Sequence, residues 1–164
     1  MLTKIQKDNN YISIVDHILK NDEFNEIKKI EHHGTTRFDH SLRVSYYSYK
    51  ISKLLHLDYI ETARAGLLHD FFISDANRNA KDRLISTFVH PKEAIDNSIR
   101  VFGLNEKEMN IIRAHMFPIN ITIPKYAESW IVSLVDKVVG SFEFGKKFGY
   151  LANIYLLFLL QYKL

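Results

Sequence analysis

Histidine and aspartate recur in five short stretches of this chain, each among apolar residues or beside an expected helix end. They are Asp39-His40-Ser41-Leu42-Arg43, Leu67-Leu68-His69-Asp70, Val89-His90-Pro91, Arg113-Ala114-His115 and Ser133-Leu134-Val135-Asp136-Lys137. From His40 to Asp136 the successive separations are 29, 1, 20, 25 and 21 residues. Each long gap is about one helix and a turn, so each group can come from a different helix and reach one shared pocket. Burying an ionised aspartate or an unpaired imidazole is costly unless it is paired or bound to a metal. Any one of these residues alone reads as an ordinary core or surface side chain. The adjacent His69 and Asp70, with three further histidines and a late Asp136, read as a common site.

The elements that must position these groups are helices. Apolar residues recur at three- and four-residue spacing over long stretches. Tyr11, Ile14, Val15, Ile18 and Leu19 form one short face, and Asp22 is a candidate N-cap for a second helix with Phe24, Ile27 and Ile30. The stretch Glu31 to Asp39 reads as a loop. A longer helix from about His40 to Leu55 carries Leu42, Val44, Tyr47, Ile51, Leu54 and Leu55. Asp58 caps the next, whose Ala63 and Ala65 allow deep packing on the way to His69. Ser74 to Arg83 is polar and reads as a mobile loop. Pro91 suits the first turn of a helix that ends at Gly103. Asn105 and Glu108 resemble a capping box for the helix leading to His115. Met116 to Pro124 reads as a loop, and a last core helix carries Trp130, Val132, Leu134, Val135 and Val138. No stretch reads as a strand.

Composition narrows the function classes. The 164 residues are 46% hydrophobic and 25% charged, as in an ordinary globular domain. Cysteine is absent, which excludes disulfides, cysteine-type zinc sites and a cysteine nucleophile. The net charge of +3 comes without a basic arm or stripe, so a small phosphate-bearing molecule fits better than a nucleic acid. Met1 to Asn10 lacks the layout of a signal peptide. The most apolar run, Tyr150 to Leu160, is shorter than the roughly 18–20 residues of a spanning helix. The expectation is a cytoplasmic protein with no membrane partner.

At the five stretches the chain resembles the HD-domain superfamily of metal-dependent phosphohydrolases. That superfamily's pattern is a His, a His-Asp doublet and a later Asp, and its two-metal branch inserts two more His before the last Asp. His40, His69-Asp70 and Asp136 match the first set, and His90 and His115 match the inserted pair. The resemblance runs from about Phe38 to Asp136. It implies an all-α fold, a single HD-type helical bundle with the metal site between core helices. The expected domain is 1–164, with a motif-bearing core at about 31–146 and a C-terminal apolar helix at 147–164.

By the same resemblance, His40, His69, Asp70 and Asp136 hold one divalent transition metal. His90 and His115 hold a second, with Asp70 bridging. Iron or manganese is favoured, while zinc, cobalt and nickel suit the same sulfur-free donors. The implied activity is hydrolysis of a phosphoester or phosphoanhydride bond in a nucleotide or related small phosphate compound. HD-type dinucleoside polyphosphate hydrolases are similar in layout and size. Asp70 is followed by Phe71, Phe72 and Ile73 where many two-metal members have a small residue and a Lys, and a Gly-Tyr-Pro signature is absent. These departures argue against cyclic dinucleotides and leave the substrate open. Two other functions share the ligand set, a di-iron oxygenase and a non-catalytic nucleotide-binding HD domain.

Arg43, three residues after His40, shares its helix face and can hold a phosphate. Lys137 adjoins Asp136 but points about 100° away on a helix, so a structural partner suits it as well as a catalytic role. His33 and Arg37 are candidates for the pocket mouth. Arg78, Lys81, Arg83 and Lys92 flank His90 and are candidates for phosphate contact. His17, His32 and His56 match no motif and read as surface residues. The apolar tail from Tyr150 to Leu164 either packs on the core or joins two subunits in a homodimer.

Overall fold

The computed structural model describes residues 5, 7–32, 34–73 and 80–161, with side chains for all of these except 32, 80–88 and 146–161. The expectations for His32, His33, Arg78, Lys81, Arg83 and the packing of the tail therefore lie outside the described residues or side chains. What is described is all-α, apart from one two-residue ladder.

Local chemistry sets the helix boundaries. Asp8 caps α1 (Asn9–Leu19) by accepting from the Tyr11 amide at 3.2 Å. Asn21, not Asp22, caps the short α2 (Asp22–Asn25), and a 3-10 turn, Glu26–Lys29, follows. The stretch read as a loop instead pairs β1 (Glu31–His32) with β2 (Thr35–Thr36) around Gly34, whose φ is 86°. Thr36 then caps α3 (Arg37–Leu54), so this helix starts a turn before His40.

The end of α3 is a Schellman motif. His56 sits at φ 56°, its amide donates to the Lys53 carbonyl, and the Leu57 amide donates to the Ser52 carbonyl. Asp58 caps α4 (Tyr59–Leu68) as expected. The capping box of Asn105 and Glu108 opens α6 (Glu106–Ala114). Between them lies α5 (Ala80–Phe102), which ends at Gly103 with φ 66°.

Two expectations change here. The stretch expected to be a mobile loop is helical from Ala80, and Pro91 lies inside α5 rather than in its first turn. A buried proline removes one helical hydrogen bond, which a 23-residue helix packed on α4 and α6 tolerates. The last helix, α7 (Ala127–Gln161), is also continuous, so no break separates a core helix from a C-terminal one.

Helix α4 is the hub, packing on α1, α3, α5, α6 and α7. Its small residues explain this. Ala63, Ala65 and Gly66 are buried, and a Cβ at Gly66 would stand 3.1 Å from the Ser45 Cα of α3. The facing side of α3 is lined by Ser41, Ser45, Ser48 and Ser52, all fully buried. Ser45 accepts from the Tyr11 hydroxyl at 2.8 Å and donates to the Ala63 carbonyl at 2.6 Å. The apolar face expected for α3 is therefore largely outside: Tyr47, Ile51, Leu54 and Leu55 are exposed, because close contact with α4 selects small residues. On α7, likewise, Val132, Val135 and Val139 are buried, while Trp130, Leu134 and Val138 are exposed. Tyr11, Phe24, Leu67, Leu68, Phe71, Ile111 and Ile112 fill the core.

Candidate metal centre

The six groups found in sequence converge. His40 stands in the second turn of α3, and His69 and Asp70 immediately follow α4. His90 lies on α5, His115 immediately follows α6, and Asp136 lies on α7. All are buried except Asp136, which is half-buried.

One local device aims two of the imidazoles. His69 is the C-cap of α4 and donates from Nδ1 to the Gly66 carbonyl at 2.8 Å. His115 is the C-cap of α6 and donates from Nδ1 to the Ile112 carbonyl at 2.7 Å. Each ring satisfies a carbonyl of the last helical turn, which otherwise lacks an intrahelical partner. The bond fixes the tautomer and leaves Nε2 for the site.

The Nε2 atoms meet carboxylate oxygens. His40 Nε2 lies 3.0 Å from Asp136 Oδ1, and His69 Nε2 lies 3.6 Å from the same oxygen. Asp70 divides its two oxygens. Oδ2 faces His69 Nε2 at 3.8 Å, while Oδ1 faces His90 Nε2 at 3.5 Å and His115 Nε2 at 3.7 Å. The His90 and His115 Nε2 atoms are 3.0 Å apart. Two sets, His40 with His69 and Asp136, and His69 with Asp70 and His115, each bring their ligand atoms within 4.8 Å of one another.

The charges respond to this crowding. Burial opposes protonation of His40, but the carboxylates of Asp136 and Glu143 outweigh it and push its pKa up to about 10. Burial also opposes protonation of His69, and Asp70 and Asp136 again prevail, raising it. His115 is pushed down to about 3 by burial and then by its neighbour His69, so its ring is neutral. Burial would raise Asp136, yet the imidazoles of His40 and His69 hold it well below the usual carboxylate range.

A metal ion fits these residues. The His69 Nε2 is fully buried and, among the described residues, makes no hydrogen bond. Such an atom is destabilising unless something occupies its lone pair. Donors about 2.1 Å from a shared ion stand about 3.0–3.4 Å apart at right or tetrahedral angles. The observed separations of 3.0 to 3.8 Å need little adjustment to reach that range.

The model of the HD domain family matches residues 37–140, well over half of the chain. The chain belongs to the HD domain family. That family binds divalent metals and consists largely of metal-dependent phosphohydrolases. Searches of the curated proteins and of the solved structures return no match. Among the described residues, no helix of this HD domain is long and apolar enough to cross a membrane.

The other candidates are placed as follows. Arg43 donates from Nη1 to Glu143 and to Thr35 Oγ1. Lys137 donates to the His115 carbonyl at 2.8 Å, the Ser133 carbonyl at 3.0 Å and Ser133 Oγ at 2.9 Å. Burial lowers its pKa. Arg37 is buried, donates to the Phe72 carbonyl and lies over the Phe72 ring at 3.7 Å. Phe72 in turn stacks on His90, with ring centroids 5.0 Å apart. Lys92, His17 and His56 are exposed.

Sequence reasoning missed Glu143. It is buried on α7 and accepts from His40 Nδ1 at 2.8 Å, while Arg43 binds its other oxygen. The available signal was its position seven residues after Asp136, two helical turns along the same face.

Proposed function

We propose that this HD domain is a two-metal phosphohydrolase acting on a nucleotide or a related small phosphate compound. The observation that carries the reading is the division of Asp70, one oxygen towards His69 and the other towards His90 and His115. That is the arrangement a bridging carboxylate needs. On this reading His40, His69, Asp70 and Asp136 hold one metal, and His90, His115 and Asp70 hold the other. When bound, two such metals supply an activated water and charge stabilisation at a phosphoryl group.

The chain's own residues do the rest. The Nδ1 bonds of His69 and His115 keep Nε2 aimed inward, and the carboxylates supply the negative charge that attracts the metals. Arg43 is partly exposed and among the described residues engages Thr35 and Glu143 through Nη1, so the other donors of its fork serve a substrate phosphate oxygen. Lys137 is a positioning residue, tying the end of α6 at His115 to α7. The arginine over Phe72 steadies the ring against which His90 lies.

The test combines metal content with phosphate release from a panel of nucleotides and phosphoesters in added manganese or iron. About two metals per chain, and release that vanishes in Asp70→Ala, are expected. Full activity in that variant would sink the assignment. Two irons with oxygen uptake and no phosphate release would replace it with oxygenase chemistry.

A further inference from the structure

Glu143 lies three residues past the end of the family match at residue 140, yet it touches the centre through two side chains of α3. Its Oε2 accepts from His40 Nδ1 at 2.8 Å, and its Oε1 accepts from Arg43 Nη1. His40 Nε2 reaches Asp136 on the same helix at 3.0 Å. One imidazole is therefore gripped at both nitrogens by one face of α7, and one carboxylate is shared between that imidazole and the neighbouring guanidinium.

A carboxylate on the far nitrogen of a ligating histidine fixes the ring and raises the basicity of the nitrogen that faces the metal. Unlike His69 and His115, His40 lies inside its helix, where the carbonyl three residues back is already bonded within the helix. It takes its far-side acceptor from α7 instead. We propose that Glu143 is the positioning residue for His40, and that through its second oxygen it also couples the Arg43 guanidinium to that ring. The proposal rests on the metal-centre reading above.

The chemistry of the shared carboxylate makes this testable. His40 and Arg43 bind different oxygens of Glu143, so glutamine in the same rotamer offers its oxygen to one of them and sets its amide NH2 against the other. Removing Arg43 frees that oxygen for His40. Wild type, Glu143→Gln, Glu143→Ala, Arg43→Met and the Arg43→Met/Glu143→Gln double variant would be titrated with Mn2+. Free Mn2+ is followed by electron paramagnetic resonance, and folding by circular dichroism melts.

Glu143→Gln and Glu143→Ala are expected to weaken Mn2+ binding by about 10–100-fold. Arg43→Met alone should bind close to wild type, and the double variant should bind more tightly than Glu143→Gln. Should Glu143→Ala fail to fold, the near-isosteric Gln variant carries the test. Wild-type Mn2+ affinity in folded Glu143→Gln, or no difference between it and the double variant, would overturn the role of Glu143. A lowered melting temperature with unchanged affinity would do the same, leaving Glu143 a structural tie. No Mn2+ binding by the wild type would remove the centre itself, and the proposal with it.

Discussion

The two ends of α4 carry clusters built from similar residues with opposite outcomes. At its start, Asp58 and Glu61 meet Lys107 at 3.3 and 3.2 Å, and Glu128 approaches the same ammonium at 3.6 Å. Burial disfavours the charge of Lys107, but these carboxylates outweigh it and raise its pKa to about 12. At the other end, Asp70 and Asp136 face imidazoles. A lysine keeps its proton at any ordinary pH, so the first cluster is closed by a charge the chain always carries. An imidazole can exchange its proton for a metal, so the second cluster is able to take positive charge from outside.

Metal addition should separate the two ends most strongly. Mn2+ at about 100 times its Kd adds about 2.7 kcal/mol of stability, or about 5–11 °C in Tm for a chain of this size. Melts with and without chelator should show this increment in wild type and in Lys107→Met, and a smaller one in Asp136→Ala. An undiminished increment in Asp136→Ala would break the comparison. Gly66→Ala acts between the clusters. The new Cβ presses on the Ser45 backbone at 3.1 Å, at a cost of about 1–3 kcal/mol. Because Gly66 also holds the His69 ring, Mn2+ titration should show weakened binding as well.

Lys107→Met should destabilise by about 1 kcal/mol, an effect reduced by added salt. Burial raises the pKa of Asp58, but the Glu61 amide and Lys107 outweigh it, and the net shift is downward. Its stabilisation is therefore present above the ordinary carboxylate range and is lost as pH falls through its lowered folded value. Denaturant titrations should accordingly show the gap between wild type and Lys107→Met closing in acid. The smallest effect is at His56, whose left-handed conformation favours glycine. His56→Gly should stabilise by about 0.5–1 kcal/mol in the same titrations without changing Mn2+ affinity.

The site was more legible in sequence than the packing around it. His40, His69, Asp70, His90, His115 and Asp136 stand out because ionisable groups in apolar stretches demand partners, and Asp58 and Asn105 stand out because capping is local. Glu143 does not, since an acidic residue within a long helix looks solvated until α3 is seen against it. The buried face of α3 was missed for a related reason. Close approach of two helices selects Ser45 and its serine neighbours, leaving Tyr47 and Ile51 outside, which inverts the usual apolar pattern. Pro91 was read by its local preference, but packing along α5 prevails.

The carbonyl bonds of His69 and His115 span only three residues each. Such a tie can close as soon as the last turn of its own helix has formed, before any helix meets another. Two of the donors can thus be aimed in the nascent chain, while the grip on His40 must wait for α7, which follows the five other ligands in sequence. Order of assembly is therefore written into the centre, with locally set rings first and the long-range clasp last.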